Sequence, residues 1–151
     1  MTFDKAAATA LISAVKSHAE SLALFGRKVI THAPLSTPGE GLSCYIELGP
    51  VVPTVSSGLA AVSIEVTLSV HILASLNQKP LDAVEAQVLG ATSVLLNAYA
   101  GAFTLGGLVR EVDIFGGMKA EPGYLLFEGK PFRIVTITLP MTVNDAWQEA
   151  P

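Results

Sequence analysis

The strictest pattern in the chain covers residues 62–72, where Val62, Ile64, Val66, Leu68, Val70 and Ile72 alternate with Ser63, Glu65, Thr67, Ser69 and His71. A period of two sustained over this length predicts a long antiparallel strand, one face on a core and the other open. Residues 42–48 repeat the pattern: Leu42, Cys44, Ile46 and Leu48 share one side, Ser43 and Glu47 the other. A short strand is predicted over 27–31, and an exposed loop over 33–41 (APLSTPGEG) from its prolines and glycines. Between the two alternating segments, residues 49–58 (GPVVPTVSSG) are too long for a tight hairpin and predict a projecting loop.

In two places the period changes to that of a helix. Residues 3–24 predict a helix with Thr2 as N-cap and Gly26 as its stop. Phe3, Ala7, Leu11, Ala14, His18 and Leu22 would form its buried stripe, whose alanines allow close approach to a sheet. A second helix is predicted from Pro80, a good first helical residue, to the stop at Gly101. Its inner stripe would be Leu81, Val84, Val88, Ala91, Leu95 and Tyr99. Three further strands are predicted at 108–115, 123–127 and 132–143. A glycine-rich turn over 116–123 (GGMKAEPG) separates the first two, and Glu128, Gly129 and Lys130 turn a hairpin between the last two. The order predicts an α+β fold, a mostly antiparallel sheet with two helices packed on one face, as a single domain over residues 1–151.

Composition narrows the function classes. Only 15% of the residues are charged, against about 25% in an ordinary soluble domain. Half are hydrophobic, and mean hydropathy is +0.52. This excludes a disordered tail, a polybasic nucleic-acid module and a charged coiled coil. A net charge of −4 gives the chain no reason to grip a phosphate backbone. So charge-poor a surface fits burial in an oligomer. Val51, Val52 and Val55 in the 49–58 segment, and Met118 in the glycine-rich turn, are the candidate contacts with another subunit or partner. No membrane association is expected. The apolar run 6–15 follows Asp4 and continues on a helical period instead of meeting a cleavage site. The uncharged stretch between Glu85 and Arg110 is interrupted by polar residues and by Gly101, Gly106 and Gly107.

The familiar catalytic patterns are missing. There is no Walker phosphate loop, and a GxGxxG begun at Gly39 and Gly41 meets Cys44 at its third glycine. GLSCY at 41–45 departs from a nucleophile elbow at Tyr45. His18, His32 and His71 are scattered and read as structural or solvated side chains. Cys44, the single cysteine, points with Leu42 and Ile46 toward the core and can form no intrachain disulfide. Glu111 and Asp113, two apart on a predicted strand, would share a face as paired acids can in general acid–base chemistry. The same pair also reads as a solvated edge. No catalytic residue, metal or cofactor is expected, and an interaction protein is favoured over an enzyme.

Three segments carry a resemblance: FTLGGLVREVD at 103–113, GYLLFEGKPFRI at 123–134 and ITLPMTVNDAW at 137–147. With the opening helix and the long alternating strand, they resemble the tail terminator proteins of long-tailed, siphovirus-like bacteriophages, especially those of actinobacteria. The resemblance implies a structural virion protein in the tail-neck region, assembled in the host cytoplasm. It implies a homohexameric ring that caps the tail tube, ends its polymerisation and joins the tail to the head–tail connector or stopper. Its partners would be itself, the major tail tube protein and that connector, with phage DNA passing through the lumen without specific binding. Alternatives are another phage neck protein, such as a stopper or minor tail protein, and a small cellular ligand-binding or enzymatic α+β domain.

Overall fold

A computed structural model describes residues 3–26, 29–35, 38–39, 41–54, 61–77, 82–101 and 103–148. Helix α1 spans Lys5–Ser21 and α2 spans Ala83–Ala100. The strands are β1 (Val29–Ile30), β2 (Leu42–Thr54), β3 (Ala61–Ser75), β4 (Glu111–Val112), β5 (Lys119–Phe127) and β6 (Lys130–Gln148). β3 lies at the centre, antiparallel to β2 on one side and to β6 on the other. β1 adds in parallel outside β2, while β4 and β5 both pair antiparallel with the far side of β6. The fold is α+β with a mostly antiparallel six-stranded sheet.

The alternation of β3 does what its period requires. Ile64, Val66, Leu68, Val70 and Ile72 are fully buried, in one core with Leu11, Val15 and Ala19 of α1 and Ala91, Leu95 and Tyr99 of α2. The α2 stripe is as the sequence predicts, with Thr92 added and its hydroxyl donating to the Val88 carbonyl at 2.7 Å. Leu81 and Pro80 lie outside the described residues.

α1 departs from expectation at both ends and in its stripe, and it closes at Ser21 with Leu22 as C-cap, short of residue 24 and the Gly26 stop. It begins at Lys5, where Asp4 is the N-cap and accepts the Ala7 N–H at 3.0 Å; Thr2 lies outside the described residues. Its buried stripe is Leu11, Val15 and Ala19, with Ala7, Ala14, His18 and Leu22 half-buried beside it. Alanines surround this helix, so its periodicity marks no single face, and the larger Val15 settles the rotation.

The projecting loop over 49–58 is corrected: β2 continues through it to Thr54, pairing Val51 with Val66 and Thr54 with Ser63. Residues 55–60 lie outside the described residues. The register slips between Leu48 and Val51, the mark of a β-bulge. Gly49 makes it possible, because a Cβ there would stand 2.9 Å from the Thr67 carbonyl oxygen. Pro50 and Pro53 are tolerable because this stretch of β2 is an edge.

The strand predicted over 108–115 shrinks to β4. Before it, Leu105, Gly106 and Gly107 all take positive φ in a single 3₁₀ turn (Leu105–Gly107), a backbone no strand adopts. After it, the Gly116 N–H donates to Asp113 Oδ1 at 2.9 Å and turns the chain early, so β5 starts at Lys119 instead of 123. Pro140 sits in β6 opposite the gap between β4 and β5, with its carbonyl accepting the Asp113 N–H at 2.9 Å. A residue without an N–H is harmless there.

Candidate interaction surface

The sheet has two free edges. β1 covers β2 only at Cys44 and Tyr45, so from Ile46 onward no described strand lies on the side of β2 away from β3. The far edge is formed by β5, which pairs with β6 alone. Large apolar side chains are exposed along both. On the β2 edge, Leu48 is 57% exposed on the helix-bearing face and Val52 is 47% exposed on the open face. On the far edge, Tyr124 is 72% and Leu126 71% exposed; Leu89 on the neighbouring turn of α2 is 70%, and Phe115 beyond β4 is 99%.

Between α2 and β5 runs a groove of about 340 Å³, lined by Ala86, Val88, Leu89, Ala120, Pro122 and Val135, with Glu85 and Arg133 at its rim. Arg133 is held on three sides. Its guanidinium lies 4.5 Å from the Tyr124 ring centroid, and Nη1 donates to the Gly123 carbonyl at 3.0 Å. Its Nε stands 2.9 Å from Glu85 Oε1, an ion pair by distance whose N–H is not aligned for a hydrogen bond. A second groove, about 350 Å³, lies at the β1 side between Ile30, Leu35, Tyr45 and Leu73.

The four candidates from sequence fall in different settings. Val52 stands exposed beside Glu65 on the open face. Val51 and Met118 are half-buried and pack against the main core. Val55 lies outside the described residues. The exposed pair Tyr124 and Leu126, with Leu89, escaped sequence reading. β5 alternates apolar residues on both faces at its end, and only the strand order shows that nothing covers it.

The open face carries two polar links between strands. His71 stacks on Tyr45 with centroids 4.3 Å apart, Nε2 stands 3.0 Å from Glu47 Oε1, and Nδ1 stands 2.9 Å from Thr136 Oγ1. A neutral ring satisfies both contacts by donating from Nε2 and accepting the Thr136 hydroxyl at Nδ1. Burial lowers the His71 pKa, against an upward pull from Glu47. The hydroxyl–imidazole–carboxylate order imitates a hydrolytic triad, but the adjacent backbone N–H groups face the β2, β3 and β6 ladders, leaving none convergent on an oxyanion. The second link joins Glu65 to Asp113, and burial, that hydrogen bond and the Asp113 charge all raise the Glu65 pKa.

This revises the expected acid pair. Glu111 projects from β4 to Arg110, 3.5 Å away, while Asp113 leaves the strand for its turn and bonds Glu65 instead. Cys44 is buried and its thiol is pushed up to about 12 by desolvation, which makes it inert. His18 is set edge-on to Phe103 at 4.7 Å, and burial lowers its pKa. Among the described residues no group of three His, Cys, Asp or Glu is placed to hold a metal ion. No helix among them is long and apolar enough to cross a membrane.

No model of a known protein family matches the sequence, and no curated protein matches it. Among solved structures, the fold is similar to a chain in the virion of a native gene transfer agent particle. The two chains share 17% identity with a TM-score of 0.51, over 93% of this chain and 100% of the other. The likeness is one of fold.

Proposed function

We propose that this chain is a structural virion protein and, within that class, a tail terminator: a subunit of a hexameric ring that caps the tail tube. The ring ends tube polymerisation and presents its other face to the head–tail connector or stopper. The observation that carries this reading is the fold shared over the full length of a virion chain, and the three terminator-like segments of the sequence support it. They fall in structure on the 3₁₀ turn and β4, on the β5–β6 hairpin and on the end of β6. Two free sheet edges with exposed apolar residues suit a subunit that meets neighbours on both sides. The open face carries Glu47, Glu65, Glu111 and Glu121, and the net charge is −4, so phage DNA in a lumen would pass without being gripped. The role is non-enzymatic, and its place is the tail neck after assembly in the host cytoplasm.

Deleting the gene from its phage tests the role. Tails of abnormal length that fail to join heads, restored by the gene in trans, are expected. Tails of normal length that stay separate from heads assign the chain to the connector or stopper instead. Normal, head-joined tails end the virion reading.

A further inference from the structure

We propose that copies of this chain associate head to tail across unlike sheet edges. The β2 edge of one copy, led by Leu48, seats against the α2–β5 edge of the next, formed by Leu89, Tyr124 and Leu126. The proposal deepens the ring reading by naming its contact, and it rests on that reading only for the closure into six.

Three observations converge on a second copy as the occupant. First, the two apolar edges lie on opposite sides of one sheet, and Leu48, Tyr124 and Leu126 all project from its helix-bearing face. Sheets set side by side bring like faces together, so Leu48 meets the groove between α2 and β5 without any refolding. Second, the exposed area is of the right size. An aromatic residue presents on the order of 150–250 Å². Tyr124, with Leu126 and Leu89 beside it at 71% and 70% exposure, therefore supplies a large part of the ~800 Å² that each partner contributes to a standard interface. Third, the charges beside the α2–β5 edge are already paired within the chain, Arg133 with Glu85 and Lys119 with Glu121, while Glu47 accepts from the neutral His71 ring on the open face, away from Leu48. A second copy of the same net charge can approach such edges without bringing an unpaired ion into a dry contact. Pro50 and Pro53 on β2 and Pro122 on β5 cannot donate backbone hydrogen bonds, so the contact is made by side chains and not by indiscriminate strand addition.

Leu48→Glu and Leu89→Glu test the contact in the full chain, with circular dichroism and melting temperature confirming that both variants fold. Sedimentation and native mass spectrometry over rising concentration should show wild-type oligomers and each variant alone as a monomer. Mixing the two variants is decisive, because each keeps the edge that the other has lost. A head-to-tail contact then yields heterodimers that stop at two. Self-association of Leu48→Glu alone, with Leu89→Glu monomeric, would mean a symmetric α2–β5 contact and overturn the proposal. So would persistent oligomers in both variants, or a wild type that stays monomeric at about 1 mM. None of these results alters tail length on gene deletion, so the terminator reading stands or falls separately.

Discussion

On the helix-bearing face of the sheet, β3 contributes Ile64, Val66, Leu68, Val70 and Ile72; on the open face the same strand contributes Glu65, Thr67, Ser69 and His71. The first set is dry and packed under two helices. The second is tied by polar contacts that reach sideways, His71 to Glu47 on β2 and to Thr136 on β6. At the end near His71 the open face becomes apolar, where Tyr45, Leu73 and Phe132 form a small cluster of their own. One strand thus divides two tasks by residue parity. Burial on one side holds the fold, and the other side keeps a hydroxyl- and carboxylate-bearing surface that does not need a cover.

The largest effect that can break this comparison is a cavity on the packed face. Leu68 is fully buried in the main core. Leu68→Ala removes that burial and leaves a void, which costs about 2–5 kcal/mol. Its neighbour Thr67 is half-buried on the open face, and Thr67→Ala should stay within about 0.5 kcal/mol of wild type. Urea denaturation of both variants checks the pair, and equal losses would show that the open face also carries the fold.

Much of this division is legible in the sequence because strand parity depends on nothing distant. The residues of β3 and the stripe of α2 follow from period alone. The edges do not, since Leu48, Tyr124 and Leu126 are exposed only because of which strand ends up outermost. Glycine and proline mislead over 49–54, where they read as loop but serve a bulge and a free edge. The Glu65–Asp113 link joins residues 48 positions apart and needs the turn after β4 to form. Long-range pairing of this kind leaves no local pattern.

Ser63 sharpens the comparison by breaking the parity rule. It stands among the polar positions of the alternation, yet it is fully buried. The cause is in β6, which takes extra residues where Val62 pairs with Trp147 and Ile64 with Val143, with Asp145 at φ 48°. The Asp145 N–H donates to Ser63 Oγ at 3.1 Å. Ser63→Ala removes that acceptor from the part-buried Asp145 N–H, at a cost of about 1 kcal/mol. Parity alone, by which Ser63 would lie on the open face and be as replaceable as Thr67, fails at this position. A denaturation midpoint matching that of Thr67→Ala would restore it.

The smallest effect concerns the proton between Glu65 and Asp113. Burial raises the Glu65 pKa, and the hydrogen bond to Asp113, which two carboxyl groups share only while one is protonated, adds to the same tendency. A raised folded value means a contribution to stability that is full below the ordinary 4.5 and lost as pH rises through the folded value. His18 and His71 act in the other direction. Burial lowers both, so their contribution is present above 6.5 and lost as pH falls through their folded values. The Glu65 effect therefore grows on the side where the histidine effects fade. Glu65→Gln keeps a donor for Asp113 and cannot ionise. It should match wild type below the ordinary 4.5 and become the more stable of the two as pH rises through the folded value. Denaturation midpoints at half-unit pH steps measure the difference. A gap that is constant with pH, or that widens toward acid, would show that Glu65 does not share a proton with Asp113, and the turn after β4 would then rest on the Asp113 N–H to the Pro140 carbonyl and the Gly116 N–H to Asp113 Oδ1.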